Sequence, residues 1–217
     1  MKRILPFLIL TVTVSFFTAC PSPTGNSTYE PPEPELPEFV EENTLFELND
    51  SVRLFSTNVF EFGAGNGTTY WIEEEIPVPV FSDFAVRLTK NSGHSLGGYG
   101  VFFAQRNSGT ADFSALAVFI NTVGEFCVGL IEQGTFSYIK EWTDSDSLSY
   151  GYSLNNILSV EAIDTGEYRI IINGEEVYSF EDSSEEAHTG GGFGYLAVVS
   201  PLENFPSVPV KIEFEKQ

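Results

Sequence analysis

Cysteine and histidine are nearly absent from this chain: Cys20, Cys127, His94 and His188 are the only examples among 217 residues. A metal centre built from Cys and His ligands takes about four such groups from one neighbourhood, so that class is excluded. Positive charge is scarce too, with 10 Lys and Arg against 31 Asp and Glu and a formal net charge of −21. A surface of that sign repels phosphate backbones, which makes nucleic acid a poor partner. Helical patterning is also missing, because apolar residues never recur at i, i+3 and i+4 over a long stretch beyond Leu45. The single long apolar run, residues 4–19, is diluted by Pro6, Thr11, Thr13 and Ser15. As a helix it would extend about 24 Å, short of the roughly 30 Å hydrocarbon core of a bilayer.

What is present begins with a leader. Lys2 and Arg3 precede the apolar run, which ends in Phe17-Thr18-Ala19-Cys20. This ending resembles a lipobox, in which small residues precede a cysteine that is diacylated and becomes the first residue of the mature protein. The expectation is therefore a signal peptide over 1–19, lipidation at Cys20, and an exported chain held to the cell envelope by its acyl groups. Pro21 follows the cysteine; it is not the Asp that marks inner-membrane retention in some bacteria, which favours the outer membrane or cell surface. Removal of Lys2 and Arg3 leaves 8 basic against 31 acidic residues, a mature charge of −23. A lipidated Cys20 leaves Cys127 alone, so no intrachain disulfide forms. Cys127 lies in Phe126-Cys127-Val128-Gly129-Leu130-Ile131 without a nearby Lys, Arg or His to lower its pKa. It reads as a small buried hydrophobe.

Residues 20–44 form a separate region. Pro-Pro-Glu-Pro-Glu-Leu-Pro-Glu (31–38) can neither pair as a central strand nor continue a helix. Proline geometry and glutamate self-repulsion predict a disordered, extended tether, reaching up to about 70 Å at about 3.1 Å per residue. From residue 45 to 217 short aromatic and β-branched runs alternate with Gly, Asn, Asp and Ser turns. Strands are expected near 51–62, 67–76, 81–90, 98–105, 114–121, 123–132, 135–142, 157–164, 167–173, 176–181, 193–200 and 208–215. In the last, Val210, Ile212 and Phe214 share one face while Lys211, Glu213 and Glu215 share the other. Ala115 to Ile120 is apolar on both faces and should be central. Asn173-Gly174 predicts a type I′ hairpin, and Asp164-Thr165-Gly166-Glu167 a turn of the same kind. The fold class is all-β, a two-sheet antiparallel jelly-roll sandwich.

The C-terminal half resembles the concanavalin/laminin-G-like jelly rolls, in the branch related to 3-keto-disaccharide hydrolase domains. The resemblance rests on Asn156-Ile157-Leu158-Ser159-Val160, Ile170-Ile171-Ile172-Asn173-Gly174, Val177 and Asp182, Gly192-Phe193-Gly194, Val210 to Phe214, Gly98 to Phe103, and Trp142. It covers about residues 80–215 and implies a hairpin-built fold, since turn glycines and core valines name no substrate. Three functional readings follow. The first is a non-catalytic, tethered sandwich binding a glycan or a protein partner; the second is a glycoside-cleaving enzyme of that hydrolase type; the third is a structural surface module.

Candidate site residues are few. The Glu-x-Asp-x-x-Glu strand of laminarinase-like jelly rolls is absent. Glu73 with Glu75, and Glu213 with Glu215, are same-face pairs that read as solvated surfaces. His94 and His188 sit in Gly/Ser-rich loops with no Gly-x-Ser-x-Gly elbow, and read as exposed loop residues. Asp144 and Asp146 offer oxygen ligands to Ca²⁺ but are two where six to eight oxygens are needed, so no cofactor is expected. Aromatics are the stronger signal: Trp142, Tyr150 and Tyr152 bracket the polar loop 143–156, and Tyr70-Trp71 form a second group. Sugar rings and protein partners both stack on such side chains. The leader yields a first test. Radiolabelled fatty acid should enter the wild-type protein and be lost in Cys20→Ser; equal labelling of the mutant would leave an ordinary secretory signal with an incidental cysteine.

Overall fold

The computed structural model describes residues 46–60, 68–74, 81–107, 110–184 and 186–217. The leader, Cys20 and the tether lie outside these. Thirteen strands form: β1 (Glu47–Asn49), β2 (Val52–Thr57), β3 (Thr68–Glu73), β4 (Phe84–Ser92), β5 (Tyr99–Arg106), β6 (Ser114–Ile120), β7 (Glu125–Glu132), β8 (Thr135–Asp144), β9 (Asn155–Asp164), β10 (Glu167–Ile172), β11 (Glu175–Glu181), β12 (Phe193–Val199) and β13 (Val210–Lys216). No helix occurs among the described residues. The twelve expected strands are all there; β1 is additional, three exposed residues with no alternation to betray them.

Two antiparallel sheets face each other. One runs β1-β2-β13-β4-β9-β10-β11 and the other β3-β12-β5-β6-β7-β8. Alternation sets which side chains enter the space between them. In β13, Val210, Ile212 and Phe214 are fully buried while Lys211 is exposed. Aromatic pairs cross the gap: Phe84 of β4 stacks on Phe193 of β12 (centroids 4.2 Å apart, 2° between planes). Tyr195 of β12 stacks on Phe214 of β13 at 4.8 Å, and Phe55 of β2 meets Tyr70 of β3 at 5.5 Å. Such pairs contribute about 0.5–1.5 kcal/mol each beyond the area they bury. The two-sided strand is central as expected: β6 lies between β5 and β7, with all seven residues buried.

The two hairpin turns differ. Asn173 and Gly174 both have positive φ (52° and 89°), as a type I′ turn requires. Asn173 is fixed further, its Oδ1 accepting from Ile157 N (2.8 Å) and its Nδ2 donating to Ser147 O (2.7 Å). In 164–167 only Gly166 has positive φ (74°), and the β9–β10 register shifts between Glu167 and Tyr168. That is a turn closed by a bulge, not the paired-φ turn expected, because Thr165 resists the left-handed region that Asn173 tolerates. A Cβ at Gly174 would meet nothing within 4 Å. Gly174→Val should therefore act through backbone strain alone, costing about 1–3 kcal/mol. Thermal unfolding should show a Tm lower by about 2–12 °C; an unchanged Tm would mean the turn does not depend on left-handed geometry.

Candidate functional site

The six-stranded sheet has a second apolar face, directed away from the core. Phe102, Phe113, Ala115, Ala117, Phe119, Cys127 and Leu196 are buried there, with Trp71, Ile131, Phe136, Trp142 and Val198 partly exposed around them. Local sequence builds this surface by setting rings beside residues too small to obstruct them. In register across four strands lie Gly194, Phe102, Ala117 and Gly129. A Cβ at Gly194 would come within 2.3 Å of the Phe102 ring, and one at Gly129 within 2.3 Å of Phe136. At Gly98 a Cβ would lie 3.2 Å from Trp142. Phe102 and Phe136 thus lie over bare backbone and pave the sheet, with Trp71 and Phe113 edge-on to Phe102 and Phe119 edge-on to Phe136.

Tyr70 and Trp71 are neighbours in sequence but part company in the fold. Tyr70 is 7% exposed in the core, which removes it from any surface stacking role. Trp71 faces out, stacked on Phe113 (5.2 Å, 11°) and edge-on to Phe102 (5.5 Å). Trp142 is on the same face at the other edge strand, β8. Five strand spacings of about 4.8 Å put the two edges roughly 24 Å apart along the sheet. The two tryptophans of the chain therefore flank one paved surface, a relation that sequence position did not reveal. Tyr138 of β8, 52% exposed, stands edge-on to Phe136.

Tyr150 and Tyr152 occupy a different place, the loop at one end of the sandwich. That loop is anchored by Ser145 N to Gly124 O (2.9 Å), Gly151 N to Thr122 O (2.8 Å) and Ser153 N to Lys90 O (2.9 Å). Tyr150 is 72% exposed and the Tyr152 hydroxyl donates to Gly93 O (2.5 Å). Asp144 and Asp146 are both exposed. Among the described residues no three His, Cys, Asp or Glu come together as a metal-binding group. Beneath the loop, Lys90 is fully buried and donates to His94 O and Gly97 O, both at 2.7 Å. Glu203 accepts from His94 N (2.6 Å). Burial lowers the Lys90 pKa to about 8, against a smaller upward pull from Glu203.

The largest departure from the sequence reading is His188, expected in an exposed loop and found fully buried. Its Nδ1 lies 2.7 Å from Asp182 Oδ2 and its Nε2 lies 3.0 Å from Ser114 Oγ. Arg106 Nε donates to the same Ser114 Oγ at 3.3 Å. Asp182 also accepts from His188 N (2.6 Å) and from Ser184 N and Oγ (3.1 and 2.7 Å). Burial would raise the Asp182 pKa, but the bonds from Ser184 and His188 outweigh it and hold the carboxyl below its ordinary value. Burial depresses His188, more than Asp182 raises it, and so keeps the imidazole neutral. Ser114 and His188 are 74 residues apart, and no local motif could have joined them. Cys127 is free and buried as expected, its thiol pushed up to about 12 by burial.

With this geometry in hand, comparisons define the fold. No sequence family and no curated protein matches the chain. Among solved structures, carbohydrate-binding module CBM66 from Bacillus subtilis superposes with a TM-score of 0.51 at 12% identity, over 75% of this chain and 91% of that one. A laminarinase from Flavobacterium sp. UMI-01 gives 0.53 at 8% identity over 80% of each. A β-1,3-1,4-glucanase (lichenase) from a mouse hindgut metagenome gives 0.52 at 12%, over 79% and 80%. The domain is a concanavalin-like jelly-roll sandwich.

Lys90 generates a pH test. Its folded pKa of about 8 lies below the ordinary 10.5, so between these values the unfolded chain holds more protons and stability rises with pH. The Lys90 contribution should grow by about 1 kcal/mol from pH 8 to 9. Above pH 9 the raised thiol of Cys127 acts in the opposite direction. Denaturant titrations should show the pH 8–9 rise in wild type and its loss in Lys90→Met, whatever the mutant's absolute stability. Equal slopes would mean that Lys90 keeps its ordinary pKa.

Proposed function

We propose that this domain binds a glycan on the outward face of the six-stranded sheet, held to the cell envelope through acylated Cys20 and the 20–44 tether. The observation that carries the reading is the ring-paved face with Trp71 and Trp142 at its opposite edges. The partly exposed rings of Trp71, Phe136 and Trp142 offer the CH faces of sugars stacking surfaces without demanding charge. The fold neighbours supply independent support, since they include a carbohydrate-binding module, a lichenase and a laminarinase. A net charge of −21 disfavours sulfated, phosphorylated or uronic chains, so the ligand class is a neutral glycan. The reading is of binding without cleavage of glycosidic bonds. Of the two same-face carboxylate pairs, Glu213 and Glu215 are engaged: Glu213 accepts from Asn91 (2.7 Å) and Glu215 pairs with Arg87 (2.7 Å).

Calorimetry with neutral glucans and fructans, on variants checked for folding, tests this. Trp71→Ala, Trp142→Ala and Tyr138→Ala should each weaken binding by about 0.5–1.5 kcal/mol. Tyr150→Ala, on the end loop, should not. The reverse pattern would move the site to the loop of Tyr150 and Tyr152. Turnover abolished by one acid-to-amide change, with binding intact, would instead establish a glycoside-cleaving enzyme.

A further inference from the structure

We propose that one end of the sandwich, built from loops 93–98, 121–124, 145–154, 173–174 and 200–209, rests on a bilayer of zwitterionic lipid. Strand direction gathers these loops: β4, β6, β8, β10 and β12 finish at this end, and β5, β7, β9, β11 and β13 start there. Hydrogen bonds knit them into one surface. Thr122 N donates to Ser95 O (3.2 Å), Gly151 N to Thr122 O (2.8 Å), and the Tyr152 hydroxyl to Gly93 O (2.5 Å). Asn173 Nδ2 donates to Ser147 O (2.7 Å), and His94 N to Glu203 Oε2 (2.6 Å). Of the twelve large hydrophobic side chains that the described residues leave exposed, seven stand here. They are Leu96, Val123, Tyr150, Tyr152, Leu154, Leu202 and Val208, and Tyr150 (72%) and Leu202 (67%) are the most exposed of all twelve. Single apolar residues scattered over a surface are ordinary; a majority gathered at one end marks a contact.

Charge is missing where these side chains gather. In a chain with 31 acidic residues, the five loops hold only Asp146 and Glu203, no Lys or Arg, and Glu203 is buried. Asp144, Glu175 and Lys211 stand behind the loops at strand ends. The opposite end is unlike it, with Asp50, Asp83, Asp112, Asp164 and Glu186 all exposed in its loops. The seven apolar side chains come from four separate loops and stand among Gly, Ser and Asn. Such spaced tips suit a fluid interface that needs no matching shape, and Tyr is at home at headgroup level. Without cations the loops have nothing to attract anionic lipid, so the lipid surface they fit is zwitterionic.

The start of the described chain agrees with this direction. Thr57 of β2 lies opposite Val210 at the apolar end, and β1 runs antiparallel to β2 with Glu47 opposite Leu54. β1 therefore points away from the apolar end, and an anchor that precedes it draws that end toward the bilayer. This orientation step rests on the acylated Cys20 proposed above; the affinity of the loops for lipid does not. In this pose the strands stand upright on the membrane, and the outer face of the six-stranded sheet stays open to a glycan.

The test couples residues 20–217 through the Cys20 thiol to maleimide-bearing phosphatidylcholine vesicles, Cys127 being buried. Tethering raises the effective concentration, so that a weak contact becomes readable. Leu202→Trp sets a reporter on the apolar end and Thr165→Trp one at the opposite end, each above the background of Trp71 and Trp142. Phosphatidylcholine brominated on its acyl chains should quench Leu202→Trp severalfold more than Thr165→Trp or the wild type. Adding Leu96→Ser and Tyr150→Ser should remove that excess, with circular dichroism reporting the fold, and phosphatidylglycerol in the vesicles should reduce it. Equal quenching at the two ends would overturn the proposal. Self-association of the uncoupled chain, lost in the same two serine variants and without excess quenching, would make this end an interface between copies instead. Loss of glycan binding in Trp71→Ala moves none of these readouts, so the two readings fail separately.

Discussion

A sheet in a two-layer sandwich needs one apolar face, and the six-stranded sheet here has two. Its inner face meets the opposing sheet through crossed aromatic pairs. Its outer face has no third layer of secondary structure among the described residues, so the sheet must cover itself. Rings accomplish this only where the backbone beneath is bare, which ties Phe102 to Gly194, Phe136 to Gly129 and Trp142 to Gly98. A methyl group at Gly129 or Gly194 would lift a ring and open the face to water. Close packing at these points keeps most of β5, β6 and β7 buried on both sides.

The polar fastenings follow from that same thickness. A sheet buried on both faces leaves its end loops few places to satisfy backbone groups, and each end is closed by a buried ionisable side chain. At one end Lys90 serves the carbonyls of His94 and Gly97 while Glu203 serves the amide of His94. Near Arg106 and Ser114, Asp182 and His188 gather the loop that follows β11. The two solutions differ in kind. Lys90 donates to two carbonyls, with the Glu203 carboxylate as the nearby opposite charge. His188 is neutral, and its two ring nitrogens are spent on the Asp182 carboxylate and the Ser114 hydroxyl.

Much of this was legible in the sequence, and the boundary between what was and was not has a physical cause. Period-two alternation marks strands because burial follows it directly, as in Val210, Ile212 and Phe214. Asn173-Gly174 announces its turn because two successive positive φ angles need those residues. The Asp164–Glu167 turn was misjudged because one glycine supports several turn types, and the bulge that completes it is a property of the pairing. The site was harder. Adjacent Tyr70 and Trp71 read as one cluster, although a strand sends neighbours to opposite faces. His188 sat among Gly and Ser, the composition of an exposed loop, yet Asp182 and Ser114 together supply enough hydrogen bonds for burial. Asp182 lies only six residues from His188, but Ser114 is 74 residues away, where sequence spacing carries no information.

Phe113 and Ser114 show how one short stretch can serve both surfaces. Phe113 precedes β6 and lies in the outer cluster against Trp71, while Ser114 opens the strand and turns its hydroxyl to His188. Alternation makes this pairing automatic: whatever fixes the ring on the paved face also fixes the hydroxyl on the opposite side. Ser114 is held further by its pairing with both Arg106 and Glu132, so its Oγ has little freedom to leave the imidazole.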